Sequence, residues 1–265
     1  MDANGKIVRE VKVASEPAAL IGWFRSLGFD LTRIGLEAGP LSQWLYAAMK
    51  QAGLAVELLE TRHVSDAFKA MPVKSDRNDA RNIAQLMPLG WFRPVHCKSM
   101  NAQEIRAMLT ARKLIQSKLQ DIENSLRGTL RGFGLKVGKT TKRSFASRIS
   151  ELVVGHPVLE TIAAAMLAVH MVLLREFNGL EKRVRVMSLL DAKARLLMST
   201  PAVGPIISLT YARAIDDPSR FTSSKRAGPL FGLTPSGETD YSGRISKLGD
   251  ASEREALYMK PPTSY

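Results

Sequence analysis

The 265-residue chain contains one cysteine, four histidines and few aromatic residues, which make up 6% of the total. A single cysteine, Cys97, excludes an internal disulfide framework and is typical of the reducing cytoplasm. The four histidines stand at unrelated places in the sequence, so a hydrolase triad has no support. No apolar run approaches the ~18 residues of a membrane span, and the N-terminus lacks the pattern of a signal peptide. We therefore expect a cytoplasmic protein with no membrane partner.

Acidic residues are scarce in the middle of the chain. Residues 101–150 contain eleven Lys or Arg against three Asp or Glu, so they carry +8 of the formal net charge of +13. Clustered cations attract a polyanion because they neutralise phosphates and release counterions. The alternative is a solvated helix face kept basic for solubility. We favour a nucleic-acid partner.

Short strands and helices alternate over residues 1–98. A turn is expected at residues 2–5. Helix 15–27 should begin at a Ser15 cap, and helix 76–87 should end before Pro88. The inward face of the first helix is expected to hold Leu20, Ile21, Phe24 and Leu27. The predicted strands are 6–14, 32–37 and 54–59, and the predicted helices are 15–27, 41–51 and 76–87. This alternation predicts an α/β domain with a parallel portion to its sheet.

The next segment, residues 99–195, has a helical period. Met108, Ile115 and Ile122 repeat every seven residues, and a second series of Leu119, Leu126 and Phe133 is interrupted by Arg112. A further apolar stripe runs from Ile162 to Val184. Two long helices joined by a basic loop would make an antiparallel arm or a dimerisation coiled coil, with the stripes as packing surfaces. Residues 196–258, rich in Gly, Pro and Ser, predict a small, mostly helical C-terminal domain.

Three carboxylates in the first domain could hold a metal ion. Glu37 stands at the carboxyl end of a predicted strand, where α/β sheets present functional groups. Asp76 and Asp79, three residues apart at a helix start, share a face. Such carboxylates suit Mg²⁺, which prefers oxygen ligands and can activate a hydroxyl. The alternative makes Asp76 an N-cap and Asp79 a partner of the helix dipole, and spacing alone favours it.

Two glycine-containing segments near the C-terminus could contact phosphates. The turn at residues 201–205, with Gly204, is similar to the hairpin of helix-hairpin-helix modules, and it leaves backbone N–H groups free at a helix start. Ser236 lies on a glycine-bordered loop from which a hydroxyl could attack a phosphodiester. Arg244 and Lys247, close by in sequence, could stabilise the charge on that phosphate. A plain polar loop is the alternative and is favoured in isolation.

The order of these motifs resembles one family. Leu36-Glu37-Ala38-Gly39 with Trp44-Leu45, followed by residues 73–80, resembles the second, third and fourth acids of the DEDD transposases of the insertion-sequence 110/1111 family. Residues 201–250 resemble the C-terminal domain of the same family, from the Pro-x-Val-Gly-Pro turn to Gly-Arg-Ile-Ser-Lys-x-Gly-Asp. The resemblance covers nearly the whole chain, and it overturns the capping alternative for the carboxylates.

The resemblance implies an architecture and an activity. The fold would be an α/β, RNase H-like (RuvC-like) domain over 1–98, a coiled-coil arm over 99–195, and a C-terminal transposase domain over 196–258. The activity would be cutting and rejoining DNA to move an insertion sequence, directed by an element-encoded guide RNA and carried out by a homo-oligomer, a dimer or a tetramer. Glu37, Asp76 and Asp79 would bind Mg²⁺, and Ser236 would be the nucleophile, with Ser242 as its competitor. The implied nucleic-acid-binding residues are Lys74, Arg77, Arg127, Arg131, Gly204, Arg244 and Lys247.

The sequence departs from the family pattern at both ends. The family's first acid lies on an N-terminal strand that has no counterpart here, so the first domain is expected to be incomplete. Residues 259–265 form an aberrant tail, because Pro261 and Pro262 cannot continue the family's helix. We expect a transposase trimmed at both ends, whose activity in this form is in question. The alternatives are a non-catalytic nucleic-acid-binding remnant and a purely structural coiled-coil protein.

Overall fold

The chain divides into two units, residues 1–98 and 99–265, in a computed structural model that describes residues 1–2, 4–60, 75–231 and 255. Across these described residues the secondary structure is mostly helical, with a small parallel sheet in the first unit. The α/β class predicted for the first domain is confirmed at this level.

The sheet of the first unit consists of two parallel strands. Strand β1 (Ile34–Glu37) pairs with β2 (Val56–Leu59) in a register that sets Ile34 opposite Val56 and Glu37 opposite Leu59. Helix α2 (Ser42–Gln51) forms the connection between them, and helix α3 (Asp76–Leu89) packs beside β1. The side chains of β2 are almost entirely buried, as expected for a strand covered on both faces. The predicted strands 32–37 and 54–59 and the helix between them are therefore confirmed, with shorter strands.

Helix α1 (Pro17–Arg25) covers the core of this sheet. Three of the four residues predicted for its inward face, Leu20, Ile21 and Phe24, pack against the cluster around Met49. The predicted cap at Ser15 is wrong. Glu16 precedes the helix without a side-chain cap, and Pro17 occupies the first turn, where its fixed φ is already helical and its missing N–H costs nothing.

The N-terminal residues confirm one prediction and contradict another. The expected turn is present: the Asp2 carboxylate accepts from the backbone N–H of Asn4 (3.0 Å) and of Lys6 (2.8 Å), and Gly5 adopts a φ of 79°. The strand predicted for 6–14 is wrong, since these residues form no strand. Alternating side chains make a strand only where a neighbour supplies hydrogen bonds, and no strand among the described residues lies beside this segment.

Two long antiparallel helices form the arm of the second unit. Helix α4 (Met100–Gly132) and helix α6 (Pro157–Leu190) pack along each other, with a short helix α5 (Phe145–Val153) between them in sequence. Residues 112 and 123 of α4 pair with residues 181 and 170 of α6, in that order, so the helices run in opposite directions. Of the alternatives left open by the sequence, the antiparallel arm is present within one chain.

Arg112, expected to interrupt the apolar seam of α4, is part of it. Its side chain is buried and donates from Nε to the Glu181 carboxylate at 2.5 Å. The guanidinium also lies over the Phe177 ring, 5.0 Å from its centroid. The residues at seven-residue spacing along this seam are therefore all buried: Ile105, Arg112, Leu119 and Leu126. A charged residue keeps its place in a seam when the facing helix supplies a carboxylate and an aromatic ring.

The described residues beyond the arm pack against its base. Helix α7 (Ala192–Met198) and helix α8 (Pro205–Ile215) follow α6, and Leu209 of α8 shares a core with Ile105 and Val184 of the long helices. Two 3₁₀ turns (Pro218–Arg220 and Ser224–Arg226) and a short helix α9 (Ala227–Leu230) come next. Asp216 accepts hydrogen bonds from the backbone and hydroxyl of Ser99, both at 2.8 Å. Residues 196–231 thus belong to the same unit as the arm.

Helix α6 carries a long apolar segment. By length and composition alone it could cross a membrane, although Glu160 and His170 interrupt its apolar residues and a single such helix also occurs in soluble proteins. Only 17% of its apolar window is buried. One side packs through Leu159, Ala163 and Phe177 into the arm. A neighbouring side carries an exposed apolar stripe with the residues Val158, Ile162, Ala165, Val169 and Val172.

Candidate functional site

Glu37 ends strand β1, as the sequence predicted, and its side chain is half-buried. The backbone N–H of the next residue, Ala38, donates to the carbonyl of Leu59 at 3.0 Å, which continues the parallel pairing past the strand. The Glu37 carboxylate is therefore presented from the carboxyl edge of a paired strand, where parallel sheets place functional groups.

Asp76 and Asp79 belong to the first turns of helix α3 (Asp76–Leu89), and neither one caps it. The cap is Ser75, whose hydroxyl accepts from the backbone N–H of Asn78 at 3.3 Å. The alternative in which Asp76 is the N-cap is thus wrong, because serine one position earlier already fills that role. Asp76 is exposed and Asp79 is half-buried. Both carboxylates are consequently available for other chemistry.

The end of α3 also differs from its prediction. The helix does not stop before Pro88 but includes it, and Gly90 ends it in the left-handed conformation with a φ of 65°. A proline inside a helix loses one backbone hydrogen bond, a loss that matters less near the last turn. Glycine then supplies the positive φ that a helix terminus commonly needs.

Contacts between β1 and α3 indicate where Glu37 and Asp79 lie relative to each other. Gly35 faces Ile83 and Met87 so closely that an added Cβ would lie 2.5 Å from Ile83 Cγ2 and 2.8 Å from Met87 Sδ. Arg33, just before β1, donates to the carbonyl of Met87 at 3.4 Å. The later turns of α3 therefore lie beside the start of β1. Asp79 is four residues, about 6.0 Å, before Ile83, and Glu37 is two residues, about 6.6 Å, beyond Gly35. Both carboxylates accordingly extend toward the same end of the two elements.

The donor set matches the oxygen preference of Mg²⁺, although the described residues contain no group of three His, Cys, Asp or Glu close enough to hold one ion. Mg²⁺ is commonly held by one or two carboxylates together with substrate phosphates and water. A pair such as Glu37 and Asp79 matches that mode in its chemistry, and Asp76 lies three residues before Asp79 on the same helix face.

Arg77, predicted to contact nucleic acid, is engaged by a carboxylate in the same unit. Its guanidinium donates to the two oxygens of Glu10, at 2.6 and 3.2 Å, and Arg81 donates to Glu10 at 2.8 Å. The hydrogen bonds from Arg77 and Arg81 lower the pKa of Glu10 to about 2. The same contact raises the pKa of Arg77. Nothing in the local sequence points to Glu10 or Arg81, because a pairing across 67 or more positions leaves no local pattern.

The two arginines predicted on the arm differ in their surroundings. Arg127 donates to the Gly138 carbonyl and to the Thr140 hydroxyl, both at 2.7 Å, and lies over the Phe145 ring. Arg131 is exposed and its side chain has no hydrogen bond or ion pair within the described part of the chain. Arg127 therefore holds the loop after α4 in place, whereas Arg131 is available to a partner.

The remaining predicted residues lie at or beyond the described C-terminal segment. Gly204 precedes α8 in extended conformation, with Pro205 in the first turn and no side-chain cap, as the sequence predicted for this turn. The predicted nucleophile and its competitor, and three predicted nucleic-acid contacts, lie outside the described residues: Ser236, Ser242, Lys74, Arg244 and Lys247.

Two family profiles match separate parts of the chain. An IS110-type DEDD profile described as a transposase matches residues 1–134, and a profile described as the IS116/IS110/IS902 transposase family matches residues 194–260. The chain is 24% identical over 227 residues to the transposase for insertion sequence element IS1111A of Coxiella burnetii, covering 83% of this chain and 62% of that protein.

Two further relatives carry transposase names. Identity is 26% over 238 residues to a family 20 transposase of Pseudomonas aeruginosa, which covers 86% of this chain and 68% of the relative. It is 26% over 237 residues to a transposase of Sinorhizobium fredii, covering 86% of this chain and 60% of the relative. The matches thus span between 60% and 68% of the lengths of the three relatives. With one profile matching half of the chain and a second in the expected order behind it, this protein belongs to the IS110/IS116 family of transposases.

Proposed function

We propose that this chain acts as a DNA transposase that cuts and rejoins DNA to move an insertion sequence. The observation that carries the proposal is the agreement of two separate segments, residues 1–134 and 194–260, with transposase profiles in the same order. The names of the three relatives support it, and so does the net charge of +13, since DNA is a polyanion.

Glu37, Asp76 and Asp79 are the proposed Mg²⁺ ligands in an RNase H-like first domain. The bound ion would supply Lewis-acid stabilisation of charge on a DNA phosphate. The contribution of the chain is to hold carboxylates from a strand end and a neighbouring helix in fixed relation. The Gly35 contact with Ile83 and Met87 supports this view, because it lets β1 and α3 approach without a side chain between them.

Ser236 is the proposed nucleophile. Its Oγ attacks a phosphorus atom of the DNA backbone, so that an Oγ–P bond forms and the bond from phosphorus to the 3′ oxygen breaks. The serine gives up its proton, the departing 3′ oxygen gains one, and the 5′ phosphate stays linked to the protein. Rejoining reverses these changes with a different 3′ hydroxyl. Arg244 and Lys247 would stabilise the phosphate charge, and Ser242 is the alternative nucleophile.

We also propose two partners besides DNA, in the cytoplasm: an element-encoded guide RNA and further copies of this chain, as a dimer or a tetramer. The apolar stripe of α6 supports self-association. Its spacing of alternately four and three residues is that of a coiled-coil seam, and its ends, Val158 and Val172, are 72% and 48% exposed. A second copy offers an identical stripe to bury it.

An excision assay tests the proposed chemistry. The gene and its native flanking DNA are placed on a plasmid, and excised junctions are amplified while covalent protein–DNA adducts are collected. Ser236→Ala should abolish adduct and junction, and Asp79→Asn should abolish the junction. Ser242→Ala is the matched control and should retain both products. Junctions formed at the normal level by Ser236→Ala would overturn the serine assignment.

A non-catalytic nucleic-acid-binding protein is the second candidate, and the basic arm favours it. Residues 101–150 would bind DNA or RNA by charge whether or not the carboxylates cut. Salt-sensitive binding by the unaltered chain, with no junction or adduct at any Mg²⁺ concentration, would favour this function and refute the transposase proposal.

A further inference from the structure

The end of the arm opposite its base is a loop held rigidly by its own side chains. This arm tip comprises residues 127–144, from the last turns of α4 to the start of α5. Arg127 ties the loop together through Gly138 and Thr140, as described above. Val137 and Phe145 are buried beneath it and anchor it to the core of the arm. The exposed side chains of the tip therefore project from a fixed backbone.

An open cavity of about 370 Å³ lies in the arm tip. Leu135, Val137 and the backbone of Gly138 contribute apolar surface, while Arg127, Arg131 and Lys136 contribute cationic side chains. Apolar surface bordered by cations is suited to a ligand with a flat uncharged part and an anionic part.

Charge in this region has one sign. Residues 124–150 contain seven Lys or Arg and no Asp or Glu. The acids nearest in sequence are engaged: Glu123 pairs with His170 at 3.0 Å, and Glu151 pairs with Arg148 at 3.3 Å. Lys136, like Arg131, is exposed and has no side-chain partner in the described ranges. No carboxylate there competes with an external anion for these cations.

An exposed aromatic ring lies between these cations in the sequence of the arm tip, two residues after Arg131 and three before Lys136. Phe133, immediately after α4, has 63% of its surface exposed, although its heptad position predicted a packing role. An isolated exposed phenylalanine is ordinary on a protein surface. Proteins bind single-stranded nucleic acid with exposed aromatic rings and cations on one surface, since bases stack on the rings and phosphates pair with the cations. The arm tip offers both kinds of side chain within six residues of sequence.

We propose that the arm tip binds a single-stranded segment of nucleic acid, with a base stacked on Phe133 and neighbouring phosphates on Arg131 and Lys136. A single strand fits better than a duplex, because only unpaired bases expose their faces. Arg127 acts as a positioning residue for the loop. The proposal does not depend on the proposed transposition, since it concerns binding without cleavage and involves neither the carboxylates nor Ser236.

The test is fluorescence anisotropy with the full chain and labelled oligonucleotides of about 20 nucleotides, which exceeds the usual footprint of one single-strand site. The probes are a single-stranded RNA, the DNA of the same sequence, and the blunt DNA duplex. Phe133→Leu should weaken binding of the favoured single strand by roughly 5- to 150-fold and leave duplex binding unchanged. Phe133→Trp should retain affinity, because it keeps an aromatic face.

The charge contribution is measured separately. Arg131→Gln with Lys136→Gln should lower the slope of log affinity against log salt by roughly 1.4 for single strands, since each phosphate contact contributes about 0.7. The charge-matched control is Lys182→Gln with Arg183→Gln, on the exposed surface of α6, which should leave the slope unchanged. Circular dichroism confirms that each variant keeps its helices.

The three probes separate the outcomes. Preference for RNA or for DNA among the single strands identifies which nucleic acid the tip binds. The proposal is overturned if Phe133→Leu binds both single strands as well as the unaltered chain does, or if it loses duplex and single-strand affinity equally. It is also overturned if the control pair changes the salt slope as much as the tip pair.

Discussion

Gly35 determines how closely helix α3, which carries Asp76 and Asp79, can approach strand β1, and Gly35→Ala tests that role. The new methyl group would lie 2.5 Å from Ile83 Cγ2 and 2.8 Å from Met87 Sδ, against about 3.5–4.0 Å for a normal carbon contact. Met87 can move aside because its side chain is flexible, but the β-branched Ile83 is restricted at χ1. Either Ile83 adopts a poor rotamer or the helix moves away from the strand. We expect a destabilisation of the first unit of about 1–3 kcal/mol.

Tryptophan fluorescence in urea measures this effect, since all three tryptophans, Trp23, Trp44 and Trp91, lie in the first unit. The midpoint of Gly35→Ala should fall by roughly 1 M urea. Gly22→Ala is the control within the same unit. Gly22 is inside helix α1 and no atom lies within 4 Å of its added Cβ, so alanine should stabilise by about 1 kcal/mol.

Ile83→Ala in the Gly35→Ala background identifies the cause. Removing the clashing methyl group should make the double variant less destabilised than the sum of the single variants by at least about 0.5 kcal/mol. An unchanged urea midpoint for Gly35→Ala, or strict additivity in the double variant, would refute the close approach of β1 and α3. If excision by Gly35→Ala also falls below what its stability explains, the spacing of the carboxylates is part of the chemistry.

Two other predictions concern charge and association. Val169→Glu places a charge in the apolar stripe of α6 and should weaken self-association by more than about tenfold in sedimentation, because burying a carboxylate between two apolar stripes is costly. Met171→Glu, at a more exposed position off the stripe, is its control, and equal loss in both variants would remove the stripe as the interface. The pKa of Glu10, followed by NMR, should be about 2. Its lowered value means that the ion pair contributes above the usual pKa of 4.5 and is lost as pH falls toward 2, while Arg77→Gln with Arg81→Gln should return the pKa toward 4.5. A value near 4.5 in the unaltered chain would show that the pair does not form in solution.

Local patterns predicted the elements whose side chains repeat at short range. The heptads of α4, the buried strands β1 and β2 and the helix start at Asp76 each depend on spacing within a few residues, and each is present. The strand predicted for 6–14 is wrong because a strand requires hydrogen bonds from a distant partner. Glu37, Asp76 and Asp79 were chosen as candidate metal ligands through the order of family motifs, since carboxylates at a helix start have the same spacing whether they cap it or bind a metal.

The sequence alone determined the helical period of the arm, the basic character of its middle and the family motifs, because each depends on neighbours within a few residues. How individual side chains are used depends on contacts that form only when the chain folds. Arg112 is buried because Glu181, 69 positions away, faces it, and Arg127 holds a loop rather than meeting solvent. Phe133 keeps its heptad position but is exposed, since α4 ends beside it and no helix in the described part of the chain covers it. Such differences arise from contacts between residues that are far apart in the sequence, and local spacing does not predict those contacts.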